Sequence, residues 1–158
     1  MKLKASLIKK FTENLDQEYG CIYDSYKTRI YDCHRNKVIV VTKERPKYEY
    51  YKYALLNKFE HVPKIYDLIE DPINKIYIIK REELYPITDH KKLVRLEIVE
   101  QAIENSLPLM HNERIMEELL WFYYPNQDRF EFDFGPHCFM ETKNKKIVVS
   151  DLFTEIPK

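Results

Sequence analysis

The sequence predicts an α+β fold: a small antiparallel sheet with one packed helix, joined to a short helical part that carries a β-hairpin. Three observations point there. Residues 21–80 hold roughly five short β-prone runs with one helical pattern after the third. Residues 90–124 hold two helical patterns separated by Pro108. The tail then returns to β-prone runs around Lys143-Asn144-Lys145. A length of 158 residues suits one ordinary domain. It is read as sheet-rich over 1–80 and helical with a hairpin over 81–158.

Each element has its own signal. Over residues 3–19, Leu3, Leu7, Ile8, Phe11 and Leu15 share one helical face, and Gly20 supplies a stop. Strands are expected at Cys21 to Tyr23, Arg29 to Tyr31 and Lys37 to Thr42. The third contains the unbroken apolar run Val38-Ile39-Val40-Val41, as a central strand would. Pro46 stands where a helix begins, and Tyr48, Tyr51, Leu55 and Phe59 mark its face, with His61-Val62-Pro63 as its end. A hairpin follows, Lys64 to Ile69 and Lys75 to Lys80, turning through Asp71-Pro72-Ile73-Asn74. After a polar connector, Leu93, Leu96, Val99, Ile103 and Leu107 predict a helix over 90–107. Asn112 caps a second one running to about Tyr124, buried through Ile115, Met116, Leu119, Leu120 and Phe122, with Pro125-Asn126 closing it.

Composition removes several function classes. Lys plus Arg and Asp plus Glu both number 26, so no net field draws nucleic acid or an acidic membrane. Gly20 and Gly135 are the only glycines, too few for a glycine-rich phosphate loop. Three scattered cysteines make no disulfide framework. With no cleavage-site pattern and no apolar run long enough to span a bilayer, the expected location is the cytoplasm. Cys33-His34 and His137-Cys138 lack the spacing of a zinc site.

The chemistry concentrates in residues 130–153, FEFDFGPHCFMETKNKKIVVSDLF. Phe139 to Thr142 can pair with Ile147 to Ser150, and strands so paired lie about 4.8 Å apart. Cys138 and Asp151 then become neighbours, with Asp133 in the loop just before. Two carboxylates at one end of a hairpin can seat Mg²⁺, a hard cation that leaves positions open for phosphates.

The run D-F-G-P-H-C-F-M followed by I-V-V-S-D resembles the catalytic segment of the protein-kinase-like superfamily. The closest likeness is to aminoglycoside phosphotransferases and small kinase-like proteins of bacteriophages. The resemblance implies that Asp133 is the catalytic base, that Cys138 stands at the metal-binding Asn, and that Asp151 is the second metal ligand. Upstream, K-V-I-V-V-T-K, H-V-P-K-I-Y-D-L-I-E and Y-I-I-K-R-E-E-L-Y-P-I resemble the sheet and hinge of the same superfamily. By that similarity Lys43 contacts nucleotide phosphate, Glu49 is its ion-pair partner, and Glu82 and Leu84 belong to a hinge beside adenine. The implied cofactors are ATP and Mg²⁺, and the implied activity is phosphate transfer to a protein or small-molecule hydroxyl. The alternative is a degenerate pseudokinase that modulates another protein, such as a host protein of a virus. Departures from that pattern include Cys138, a soft thiol where an amide is usual, Glu131 two residues before Asp133 where a His is usual, Gly20 as the sole glycine of the phosphate-covering loop, and Glu49 only six residues after Lys43.

Overall fold

The apolar run at residues 38–41 becomes the middle of a five-stranded antiparallel sheet. The structure, a computed structural model, describes residues 13–105 and 113–157. The sheet is built from β1 (Gly20–Asp24), β2 (Thr28–Asp32), β3 (Lys37–Thr42), β4 (Ile65–Asp71) and β5 (Ile76–Glu82), in the order β1-β2-β3-β5-β4. Helix α1 (Arg45–Leu56) is inserted after β3. These elements make the fold α+β, with five strands and a helix inserted after the third, as the sequence predicts.

Two units divide the described residues, 13–52 with 63–83, and 53–62 with 84–105 and 113–157. In the first, the period of two sorts β3 onto two buried faces. Ile39 and Ile78 cluster with Tyr31 and with Leu15 from the helical residues 13–18. The Tyr31 hydroxyl donates to Asp16 at 2.6 Å and fixes that helical segment over the sheet. On the other face Val38 and Val40 are buried, Tyr48 of α1 packs on Tyr77 at 5.0 Å, and Tyr51 meets the buried Arg81 guanidinium. Leu3, Leu7, Ile8 and Phe11 lie outside the described residues.

Gly20 departs from expectation. It opens β1, its φ is not left-handed, and a Cβ there would meet nothing within 4 Å. It is therefore neither a left-handed helix stop nor a turn glycine. Ser25-Tyr26-Lys27 make the β1–β2 turn, closed by Ser25 N–H donating to the Thr28 carbonyl at 2.9 Å. On α1 the buried side chains include Tyr48, Tyr50, Tyr51 and Ala54, while Leu55 lies in solvent. Lys58, in the left-handed region, ends the turn after α1, and Phe59 is buried beyond the helix rather than on it.

The second unit carries α2 (His90–Glu104) and α3 (Arg114–Asn126). Leu96, Val99 and Ala102 bury one stripe of α2, while Leu93 is exposed. Leu107, Pro108 and Asn112 lie outside the described residues. Pro125 falls inside the last turn of α3, which closes at Asn126, whose side-chain amide donates to the Phe122 carbonyl at 2.7 Å. Two short ribbons complete this unit: β6 (Phe130–Phe132) pairs with β9 (Phe153–Glu155), and β7 (Phe139–Glu141) pairs with β8 (Ile147–Val149). Phe122 packs on Phe153 at 4.8 Å and Phe130 at 6.0 Å, and Tyr123 packs on Phe132 at 4.6 Å. Aromatic contacts of this kind clamp the β6–β9 ribbon onto α3. No helix among the described residues is long and apolar enough to cross a membrane.

The start of α2 is set by Asp89, whose carboxylate accepts the Lys92 N–H at 3.2 Å. Asp89→Ala is expected to cost about 1 kcal/mol, read as a fall in urea midpoint with unchanged slope.

Candidate functional site

The two ribbons of the second unit bring the chemically interesting residues together. In the β7–β8 hairpin Phe139 faces Val149 and Glu141 faces Ile147, so the residues flanking the strands meet at one end. There the Cys138 carbonyl accepts the Ser150 N–H at 2.8 Å and the Asp151 N–H at 3.4 Å. In the other ribbon Phe132 faces Phe153, and just beyond it the Asp133 N–H donates to the Leu152 carbonyl at 2.8 Å. Asp133, Cys138 and Asp151 therefore converge where the ribbons join. The hairpin and its turn were legible from the sequence. The β6–β9 pairing was not, although F-E-F and F-T-E alternate as half-buried strands do.

Cys138 is buried. Its sulfur accepts the Gly135 N–H at 2.7 Å and donates to the Asp133 carbonyl at 3.1 Å. Burial pushes this thiol up to about 12, with the charges of Glu100, Asp151 and Asp133 adding to the shift and the Gly135 N–H opposing it. At neutral pH it is a thiol, not the thiolate that binds metals. Asp133 itself is exposed, and Asp151 is half-buried with interactions of its own. No group of three His, Cys, Asp or Glu side chains able to hold a metal occurs among the described residues. A cation that keeps most of its waters and takes phosphate oxygens needs only one or two protein carboxylates, whereas a protein-enclosed metal needs more.

The hairpin is held by buried charge. Glu118 on α3, fully enclosed, accepts the N–H groups of Glu60 and His61 and meets the His61 ring nitrogen at 2.8 Å. The His61 carbonyl in turn accepts the Val149 N–H at 3.0 Å, two residues before Asp151. Glu141 of β7 is buried between Lys92 at 3.2 Å and Lys145 at 3.1 Å. Burial alone would raise the Glu141 carboxyl, but hydrogen bonds from Lys145 and Lys92 hold it below its ordinary value. Beside the Asp133 loop a cleft of about 470 Å³ runs along α2, walled by Phe134 and Phe139 and edged by Glu97, Glu100 and Glu104. Burial, then the charges of Glu104 and Glu97, raises the Glu100 carboxyl.

In the first unit Lys43 follows the end of β3, where its N–H donates to the Lys27 carbonyl at 2.9 Å. A buried Thr28–Thr42 hydroxyl pair at 2.7 Å locks the strands just before it. The Lys43 amine is exposed and lies over the Tyr26 ring, 5.2 Å from its centre. No ion pair joins it to Glu49, whose carboxylate lies 3.4 Å from Arg45, four residues earlier on α1. The expected Lys43–Glu49 pair is thus replaced by two local contacts. Lys43 has left the strand and turned toward the β1–β2 tip, while Glu49 sits one helical turn from Arg45.

Glu82 ends β5, donating its N–H to Lys64 at 2.9 Å and accepting the Lys64 N–H on its side chain at 2.8 Å. Its carbonyl accepts from the buried Arg81 at 2.8 Å. The Glu83 N–H goes to Asn36 at 3.1 Å and the Tyr85 N–H to Glu141 at 2.8 Å. Leu84 is buried, and among the described residues its N–H has no acceptor. Compared with models of known protein families and with curated proteins, the sequence gives no match.

Proposed function

We propose that the chain is a minimal kinase-like protein that binds ATP with Mg²⁺ and transfers phosphate to a hydroxyl group. The single observation that carries this reading is the convergence of Asp133, Cys138 and Asp151 at the junction of the two ribbons. Asp133, exposed beside a cleft, takes the acceptor hydroxyl's proton on its carboxylate. Asp151 supplies an oxygen to the cation. In this reading Lys43 contacts phosphate, and Glu82 and Leu84 belong to the segment beside the base. Magnesium, when bound, neutralises charge on the phosphate oxygens.

A second reading, a nucleotide-free pseudokinase that modulates a partner such as a host protein, is favoured by the missing Lys43–Glu49 pair. Thermal unfolding with and without nucleotide separates the two. ATP with Mg²⁺ at about five times its Kd should stabilise the protein by about 1 kcal/mol, roughly 2–4 °C in Tm. Asp151→Asn should remove that shift. Absence of any shift at millimolar ATP would defeat the nucleotide-binding reading and leave the modulator.

A further inference from the structure

We propose that Cys138 is a positioning residue that fixes the Asp133 loop through its sulfur, and that any cation at this junction is held by oxygen alone. The second half rests on the kinase-like reading, and the first does not.

The loop from Asp133 to Cys138 is closed from within. The sulfur accepts the Gly135 N–H and donates to the Asp133 carbonyl, while the Cys138 N–H donates to the Gly135 carbonyl at 3.2 Å. From outside, Asp133 is tied to Leu152 and Cys138 to Ser150. Both hydrogen-bonding capacities of the thiol, one donor and one acceptor, are therefore spent on the backbone of its own loop. The side chain is 2% exposed. Metal ligation requires the sulfur to lose its proton and present a lone pair to the ion. That would release the Asp133 carbonyl, because a sulfur without its proton has nothing to donate. The S–H bond to the Asp133 carbonyl and ligation through the same sulfur are mutually exclusive, and the geometry keeps the S–H bond. The backbone from which the Asp133 carboxylate projects is then held in place.

The test uses the full chain with Cys21→Ser and Cys33→Ser, which leaves Cys138 as its one thiol. An aromatic disulfide reagent should react with the folded protein roughly a hundredfold more slowly than with the unfolded chain. Added Cd²⁺ should produce no thiolate-to-cadmium absorption band. In otherwise wild-type protein, Cys138→Ala should speed Gly135 amide exchange roughly five- to tenfold, while Cys138→Ser, which keeps a donor and an acceptor, should stay within about threefold. A freely reactive thiol, a cadmium band, or unchanged Gly135 exchange in the alanine variant would each overturn the proposal. If the alanine variant does not fold, the thiol and cadmium measurements decide.

With ATP and Mg²⁺, the alanine variant should lose kcat with KM for ATP unchanged, and serine should restore it. Equal kcat in all three proteins would overturn the positioning role. A wild-type protein with no turnover would instead defeat the phosphotransfer reading, and the exchange and thiol measurements would still decide the brace.

Discussion

Asp133→Asn is expected to lower phosphate turnover by about 10²–10⁴-fold with the KM for ATP little changed, as removal of a general base does. The same substitution should barely touch the fold. Asp133 is tied down by its N–H on Leu152 and its carbonyl under the Cys138 thiol, both backbone groups that asparagine retains. Its carboxylate makes no hydrogen bond among the described residues and is exposed. Tm within about 2 °C of wild type, a difference near 0.5 kcal/mol, would match a surface change of this kind. A variant that loses turnover only because it unfolds would refute the assignment of Asp133 as base, as would one that turns over normally.

The largest stability effect is expected at Glu118. Glu118→Ala leaves the N–H groups of Glu60 and His61 and the His61 ring without their shared acceptor in a closed space. Breaking a buried pair in this way costs about 3–5 kcal/mol, roughly 6–20 °C in Tm for a chain of this size. The damage should reach the site, because His61 also holds Val149 beside the Asp151 end of the hairpin. Glu118→Gln, which keeps the shape and one acceptor oxygen, should lose less.

The same residue predicts a pH dependence. Burial would raise the Glu118 carboxyl, but the His61 ring and the N–H groups of Glu60 and His61 outweigh it and leave the carboxyl lowered. A group whose folded value lies below its unfolded one binds its proton more tightly in the unfolded chain. Its contribution is therefore complete above the ordinary carboxylate range and disappears as pH falls through the lowered value. The stability gap between wild type and Glu118→Gln should be constant near neutrality and shrink in acid. Glu141 and Asp71 are lowered as well, so wild type should retain further acid sensitivity after Glu118 is replaced. A gap that widens with acid would contradict the burial geometry.

What could be read from the residues alone was local or continuous. The run Val38 to Val41, the turn at Asp71 to Asn74 and the hairpin around Lys145 each announce themselves within a few positions, by unbroken apolarity or by turn chemistry. The turn at Asp71 is a case in point: its carboxylate accepts the N–H groups of Ile73 and Asn74. The meeting of Cys138 and Asp151 was legible for the same reason, since a hairpin with equal legs must join its ends, whereas Asp133 is tied in through Leu152 beside the β6–β9 pairing. What could not be read depends on distant partners. Three-residue strands such as β6 and β9 carry too little pattern, and the pairing is decided by Phe122 and Tyr123 of α3. Glu118 looks like one more solvated charge beside Glu117, and only His61, 57 residues away, makes it a buried anchor. Lys43 and Glu49 were matched by resemblance, but the chain places Lys43 past the strand end, where the Tyr26 ring is nearer.

The most direct measurement is the proton–nitrogen NMR spectrum of the protein titrated with ATP and trace Mn²⁺ in place of Mg²⁺. The expected result is selective broadening of the Gly135, Asp151 and Leu152 amide signals, absent in Asp151→Asn. No broadening, or broadening centred on residues remote from the ribbon junction, would contradict a nucleotide–metal site at Asp133 and Asp151.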